Sequence, residues 1–317
     1  VFHGLAAFLP VGHNSLTARL PTRYDSAPMP PEKYCQERAA KSGSSFYYSF
    51  LFLPPPQRRA ITALYAFCRE VDDVVDECRE PEVARATLAW WREEVGQLFA
   101  GNPQHPVTRA LVPAVERYNL PEEQFQEIID GMEMDLDQNR YPTFTELRLY
   151  CHRAAGVVGQ LSAEIFGYSD RQTTRYAHDL GIAFQLTNII RDVGEDAARD
   201  RIYLPQDEMA KYGVTAADLR QGETNEPVRA LLAMQIRRAR EYYGRAFSRL
   251  PEEDRYPQRA GLIMAAIYLH TLDRIEQAGC PITTTPLRLS PWRKLWIAWR
   301  TARGEAKRHR RTPTTPR

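Results

Sequence analysis

The segment from Tyr176 to Asp196 constrains this chain more than any other, because wound as a helix it is apolar on nearly every face and carries one narrow polar stripe. At about 100° per residue, Gly181, Gln185, Asn188, Asp192 and Asp196 fall along that stripe. Leu180, Ile182, Ala183, Phe184, Leu186, Ile189, Ile190 and Val193 cover its flanks, so the helix is expected to be buried. Carboxylates are costly to bury without partners. Three oxygen-bearing side chains stacked on a buried helix therefore call for cations, either metal ions or an ion-pair network using Arg191 and its neighbours. A metal site is the more economical reading.

A second stripe lies far upstream. Gln57 to Cys78 reads as a helix with an apolar line through Ile61, Leu64, Cys68, Val71, Val75 and Cys78. Beside that line Tyr65, Arg69, Asp72 and Asp76 follow i, i+4, i+7, i+11, within roughly 60° of arc. Asp72 and Asp76 are then about 6 Å apart along the axis, which suits a hard cation. Alone, such a pair reads as a solvated acidic face. Two acidic helices facing each other across an apolar cavity can instead hold several Mg²⁺ ions that bind a diphosphate. Mg²⁺ keeps waters and binds through carboxylates plus substrate phosphate, and as a Lewis acid it eases departure of pyrophosphate.

Helical spacing continues from Pro56 onward, and no alternating β-branched runs lie between turn signals. The fold class expected is all-α, in one domain over 32–285, with breaks at Pro54-Pro55-Pro56, Gly101-Asn102-Pro103, Asn119-Leu120-Pro121, Tyr141-Pro142, Pro205, Glu226-Pro227, Pro251 and Tyr256-Pro257. Residues 1–31 lack an initiator Met, a basic n-region and a small-residue cleavage site, and are expected to lie outside the fold. No G-x-G-x-x-G or Walker loop occurs, so a phosphate must be held another way and NADPH use has no positive support.

Charge is unevenly spread. Residues 286–317 hold ten of the 42 Lys and Arg and one acid, Glu305, a balance of +9 that leaves −7 on the rest. That distribution argues against nucleic-acid binding by the body and for a basic appendage. Cys35, Cys68, Cys78, Cys151 and Cys280 form no C-x-x-C pair, which fits a reduced, cytoplasmic protein. No apolar run approaches the ~20 residues that span a bilayer. Membrane contact is expected only as peripheral binding through the 286–317 tail, where Trp292, Leu295, Trp296, Ile297 and Trp299 interleave with Arg293, Lys294, Arg300 and Arg303. Each basic residue near anionic headgroups is worth about 1 kcal/mol before screening. The competing expectation is that the tryptophans pack on the catalytic body.

The pattern Leu180-Gly181-x3-Gln185-x2-Asn188-Ile189-x-Arg191-Asp192-Val193-x2-Asp196-x4-Arg201-x-Tyr203-x-Pro205 resembles a signature of the squalene and phytoene synthase family, the head-to-head isoprenyl diphosphate synthases. Tyr150-Cys151-x3-Ala155-Gly156-Val157-Val158-Gly159 and Asp72-Asp73-Val74-Val75-Asp76 resemble two further family motifs, and the likeness runs from about Lys33 to Arg300. The resemblance implies a single-domain isoprenoid synthase fold with helices around a central apolar cavity. It implies that Asp72, Asp76, Asn188, Asp192 and Asp196 carry the Mg²⁺ ions, and that Ser45, Tyr65, Arg69, Gln185 and Arg191 contact diphosphate or the reacting ends. Tyr150 would steady a carbocation or relay a proton, against the plain reading of a core tyrosine. Lys41-Ser42-Gly43-Ser44-Ser45-Phe46, Gly131-Met132-Glu133-Met134-Asp135-Leu136 and Arg293-Lys294-Leu295-Trp296-Ile297-Ala298-Trp299-Arg300 look most like bacterial presqualene diphosphate synthases of the hopanoid route. The implied substrates are two farnesyl diphosphates, with geranylgeranyl diphosphate as the rival. Phytoene, squalene or dehydrosqualene synthesis, a catalytically dead assembly factor and a metal-dependent diphosphate hydrolase are the alternatives. Intact aspartates argue against the dead relative, and burial among Phe184, Ile190 and Ile263 argues against the hydrolase.

Three smaller expectations complete the reading. The small residues Ala154, Ala155, Gly156 and Gly159 serve either close helix packing or room for a prenyl chain. Asp135 and Asp137 read as solvated acids. His152 and His178 lack metal-ligand spacing and are expected to stand outside the site.

Overall fold

Proline opens many of the helices, where its missing N–H costs nothing and its fixed φ suits the first turn. The computed structural model describes residues 29–41, 45–78, 80–222, 224–283, 285 and 287–311, and among these the regular structure is helical. In chain order the helices are α1 (Pro31–Lys41), α2 (Ser45–Phe50), α3 (Pro55–Glu77), α4 (Pro81–Phe99), α5 (Pro106–Tyr118), α6 (Glu122–Asp137) and α7 (Phe144–Cys151). They continue as α8 (Val157–Phe166), α9 (Gln172–Ala198), α10 (Gln206–Tyr212), α11 (Ala216–Gln221), α12 (Glu226–Arg249), α13 (Arg259–Gln277) and α14 (Pro291–His309). Side chains cap several starts: Thr143 and Glu146 form a capping box on α7, Asn225 accepts from Val228 on α12, and Ser290 accepts from Arg293 on α14. No β-strand occurs among the described residues, in line with the all-α expectation; one isolated parallel bridge joins Arg140 to Ile202.

Helix α9 is the axis of the molecule. Twenty of its 27 residues are buried, and α7, α8, α11, α12 and α13 pack around it. Two glycines bring the backbones together. A Cβ on Gly159 would stand 2.3 Å from the Ala177 carbonyl oxygen, and one on Gly181 would stand 2.3 Å from that of Ala155. Both glycines, with Ala155, also line an apolar cavity. Close packing and cavity wall, the two readings of the small residues, therefore coincide here.

The polypeptide between α7 and α8, His152–Gly156, is wound as one wide π turn, so 144–166 is a continuous rod with a local change of pitch. The segment after α9 crosses the end of α6. Ile202 N–H donates to Asn139 O (3.0 Å) and Gln206 N–H to Tyr141 O (2.9 Å), which sets Arg201 and Tyr203 against the core.

The basic, Trp-rich segment forms α14, which packs on α13 through buried Ile297, Ala298 and Ala302. Glu305 on the same face pairs with Arg255 at 2.6 Å, and His309 stacks on Tyr256. No helix among the described residues is long and apolar enough to cross a membrane. All five cysteines are free thiols, four of them buried.

Candidate active site

Phe46 from α2, Tyr65 from α3, Gly159 from α8, Phe184 from α9 and Met264 from α13 line an apolar cavity. Its polar end is made by Gln185 and Asn188. The same two residues line a second, narrow pocket whose other walls are Tyr150, Ile189, Asp192, Asp196 and Tyr203. The apolar chamber thus meets the acidic stripe of α9 at Gln185 and Asn188. Asp72, Asp192 and Asp196 are each under 5% exposed, so the expectation of a buried carboxylate ladder holds on α9 and for the first aspartate on α3. Asp76 is half-buried.

Arginines meet Asp72, Asp76 and Asp192. Arg69 reaches Asp72 at 2.7 Å and also pairs with Asp73, which Arg38 holds from α1 at 2.5 Å. Arg201 pairs with Asp76 at 2.6 Å and donates to the Val75 carbonyl oxygen. Arg191 grips Asp192 through two bonds, of 2.7 and 2.5 Å. Burial pulls the Arg191 guanidinium toward neutrality, but Asp192 and Tyr268 outweigh it and hold the group above its ordinary value. The ion-pair network open at the level of sequence is therefore present.

Metal binding and this network are compatible. Among the described residues no three His, Cys, Asp or Glu converge on one point suited to a metal ion. Mg²⁺ does not require such a cage, since one or two carboxylates plus substrate phosphates suffice. The donors on the two stripes, Asp72 and Asp76 with Asn188, Asp192 and Asp196, are all oxygen ligands at one-turn spacing, a set that suits this ion.

One expectation is overturned. Asp135 is not a solvated acid: Tyr150 Oη donates to its Oδ2 at 2.8 Å and Tyr203 Oη to its Oδ1 at 3.0 Å. Burial of the carboxyl group among these rings pushes its pKa up to about 6, against the pull of Arg201 and the two hydroxyls. Tyr141, Tyr150 and Tyr203 stand with ring centroids 5.2–5.8 Å apart. The signal lay in helical spacing, because Asp135 continues the buried line Ile128, Met132 at i, i+4, i+7. Asp137 does match its reading, with a 2.6 Å pair to Arg85 at the surface.

The remaining residues fall as follows. Tyr65 is buried in the chamber wall against Phe46 and Phe50. Ser45 is half-buried at the first position of α2, while Ser42 to Ser44 of the same motif lie outside the described residues. His152 Nδ1 and His178 Nε2 are bonded to each other at 2.9 Å, away from both pockets. Lys294, which sequence placed in the tail, is turned inward. Burial, then Arg191 and Arg288, pull its ammonium down to about 8, and its Nζ lies 5.8 Å from the Tyr48 ring centroid.

Comparison with known proteins gives a consistent result. Residues 39–296 match the family described as squalene/phytoene synthase. The 15-cis-phytoene synthase of Synechococcus elongatus is 38% identical over 276 residues, 82% of this chain and 89% of that protein. The phytoene synthase of Arthrospira platensis is 38% identical over 277 residues, with the same coverage. Among solved structures, a dehydrosqualene synthase in complex with ligand superposes with a TM-score of 0.77 at 27% identity, over 87% of this chain and 97% of that one. Squalene synthase HpnC from Alicyclobacillus acidocaldarius superposes with a TM-score of 0.70 at 30% identity, over 78% of this chain and 94% of that one.

Proposed function

The chain belongs to the squalene/phytoene synthase family, whose members are prenyltransferases acting on prenyl diphosphates, and from that premise we propose that it joins two farnesyl diphosphates head to head into presqualene diphosphate. One farnesyl diphosphate loses pyrophosphate from C1 to leave an allylic cation. The double bond of the second attacks that carbon, and loss of one proton closes a cyclopropane. Pyrophosphate and a proton are released.

The observation that carries this reading is the junction at Gln185 and Asn188, where an apolar chamber meets a buried row of carboxylates. Asp72, Asp76, Asn188, Asp192 and Asp196 would hold Mg²⁺, which would supply Lewis acidity toward a departing pyrophosphate. Arg69, Arg191 and Arg201 offer guanidinium donors beside those carboxylates, and a diphosphate entering the site competes for them. Tyr65 and Gln185 orient the reacting ends from the chamber wall, and Ser45 does so from the first position of α2. Phe46, Phe184 and Met264 exclude water from the cation. The ring faces of Tyr150 and Tyr203 steady positive charge near the small pocket. The Tyr150 hydroxyl proton is directed at Asp135 Oδ2, which sets the ring's orientation.

Farnesyl chain length is supported by the subfamily-like segments at 41–46, 131–136 and 293–300. A second reading, phytoene synthesis from two geranylgeranyl diphosphates, is favoured by the names of the relatives at 38% identity. The test is incubation with each substrate, with Mg²⁺ or EDTA and with or without NADPH, followed by mass spectrometry. Presqualene diphosphate from farnesyl diphosphate, in Mg²⁺ and regardless of NADPH, is the expected outcome. Phytoene from geranylgeranyl diphosphate with nothing from farnesyl diphosphate moves the chain to the second reading. Full turnover in EDTA removes the metal from either.

A further inference from the structure

Helix α14 is amphipathic in the reverse sense from a helix that only packs. Its inner face is small and aliphatic, Ile297, Ala298 and Ala302, and is fastened by Glu305 to Arg255. Its outer face carries Trp292 (81% exposed), Trp296 (52%) and Trp299 (51%). At about 100° per residue these three and Arg303 fall within an arc of roughly 60°. Leu295, also exposed, extends the apolar surface on one side, and Arg293, Arg300 and Lys307 border it on the other. Arg300 lies over the Trp296 ring and Arg303 over the Trp299 ring. The described end of the chain adds exposed Arg310 and Arg311.

Three exposed tryptophans on one face are more than scattered surface apolar residues explain. Tryptophan favours the headgroup level of a bilayer, and the surrounding arginines match anionic headgroups. Position adds a second argument. Helix α2 packs against α14, exposes Tyr47, and turns Phe46, Ser49 and Phe50 into the apolar cavity; exposed Leu51 follows directly. One short helix therefore lies between α14 and the chamber.

We propose that the outer face of α14 is a docking surface for an anionic lipid bilayer, which seats the protein on the membrane with α2 beside the lipid. The pairing with product delivery rests on the function proposed above: a long apolar product leaves the chamber past α2 into lipid rather than into water. The docking itself does not depend on which prenyl chain is used.

The test is flotation of the full chain with vesicles of phosphatidylcholine alone and of phosphatidylcholine with 30% phosphatidylglycerol, in the absence of substrate. The wild type is expected to float with the anionic vesicles at low salt and to be released as salt rises. Trp292→Ser/Trp296→Ser/Trp299→Ser should bind at least tenfold more weakly, and Arg300→Gln/Arg303→Gln/Lys307→Gln should lose the preference for anionic vesicles. Both variants should keep the wild-type circular dichroism and turnover in detergent, because the substituted side chains face away from the body. Equal flotation of the tryptophan variant and the wild type, or no flotation of either, overturns the proposal. A wild type that stays off vesicles but self-associates in light scattering, with the tryptophan variant monomeric, makes the face a contact between copies and likewise overturns it. Flotation without any prenyl transfer keeps the docking surface and removes the function reading instead.

Discussion

Helices α9 and α14 are built on opposite plans. Helix α9 buries carboxylates on a narrow stripe within an apolar surface, whereas α14 displays tryptophans on a stripe at the molecular surface and packs through alanines. Solvation alone would reverse both arrangements, since it favours exposed aspartate and buried tryptophan. Each departure marks a place where something other than water completes the surface. For α9 the completing partners are Arg191 at Asp192 now and a cation with diphosphate in the proposed reaction; for α14 the proposed partner is a bilayer.

The sharpest way to break the comparison is at Asp192. Asp192→Asn is expected to lower turnover about 10³-fold, or ~4 kcal/mol of barrier, while keeping the shape of the site. Asp192→Ala also leaves Arg191 buried without its carboxylate, a loss of about 3–5 kcal/mol in stability. Turnover and thermal melting measured together separate the two effects. If Asp192→Asn retains full activity, the α9 stripe is structural only.

Next in size is Gly181→Ala, which forces a Cβ onto the Ala155 carbonyl oxygen and should cost about 1–3 kcal/mol in denaturant unfolding. An unchanged midpoint would mean that α9 shifts freely against its neighbours. Asp135→Asn follows. It should slow turnover about tenfold by loosening Tyr150 and Tyr203. Its pH signature is opposite in sign to that of an ordinary salt-bridged acid. A carboxyl raised to about 6 in the folded state binds protons that the unfolded chain has released, so stability falls as pH rises from the ordinary carboxylate value to about 6. The Asn variant should lose that slope. The smallest effect belongs to α14, where Trp296→Ala should change stability by less than about 0.5 kcal/mol while Ile297→Ala, one residue on, costs about 2–4 kcal/mol. Equal losses at the two positions would mean that the outer face is packed after all.

Sequence made α9 and α3 legible because their stripes recur at helical spacing and need no partner to be recognised. It could not show that Arg201, more than a hundred residues from Asp76, pairs with it, since that contact depends on how 199–205 crosses the end of α6. Asp135 was missed because its neighbours Asp130, Glu133 and Asp137 made the whole turn look acidic, although its own phase matched the buried line. Lys294 was assigned to a tail for the same reason in reverse: the composition of 286–317 masked one lysine at the inward angle.

The wide turn at His152–Gly156 settles the rotational setting of everything on that rod. Tyr150 and Gly159 are nine residues apart, which in uniform α-winding places them about 180° from each other. One extra residue taken up in the π turn reduces that to about 80°, and both then look toward α9, the tyrosine into the small pocket and the glycine against the Ala177 carbonyl. The rod behaves as a vernier: its two ends are brought into phase by a single residue of slack. Deleting one residue between 152 and 156 would leave eight residues in uniform α-winding, again about 80°, so the two ends should stay in phase, whereas inserting one residue there should turn the tyrosine away from the pocket by about 100°.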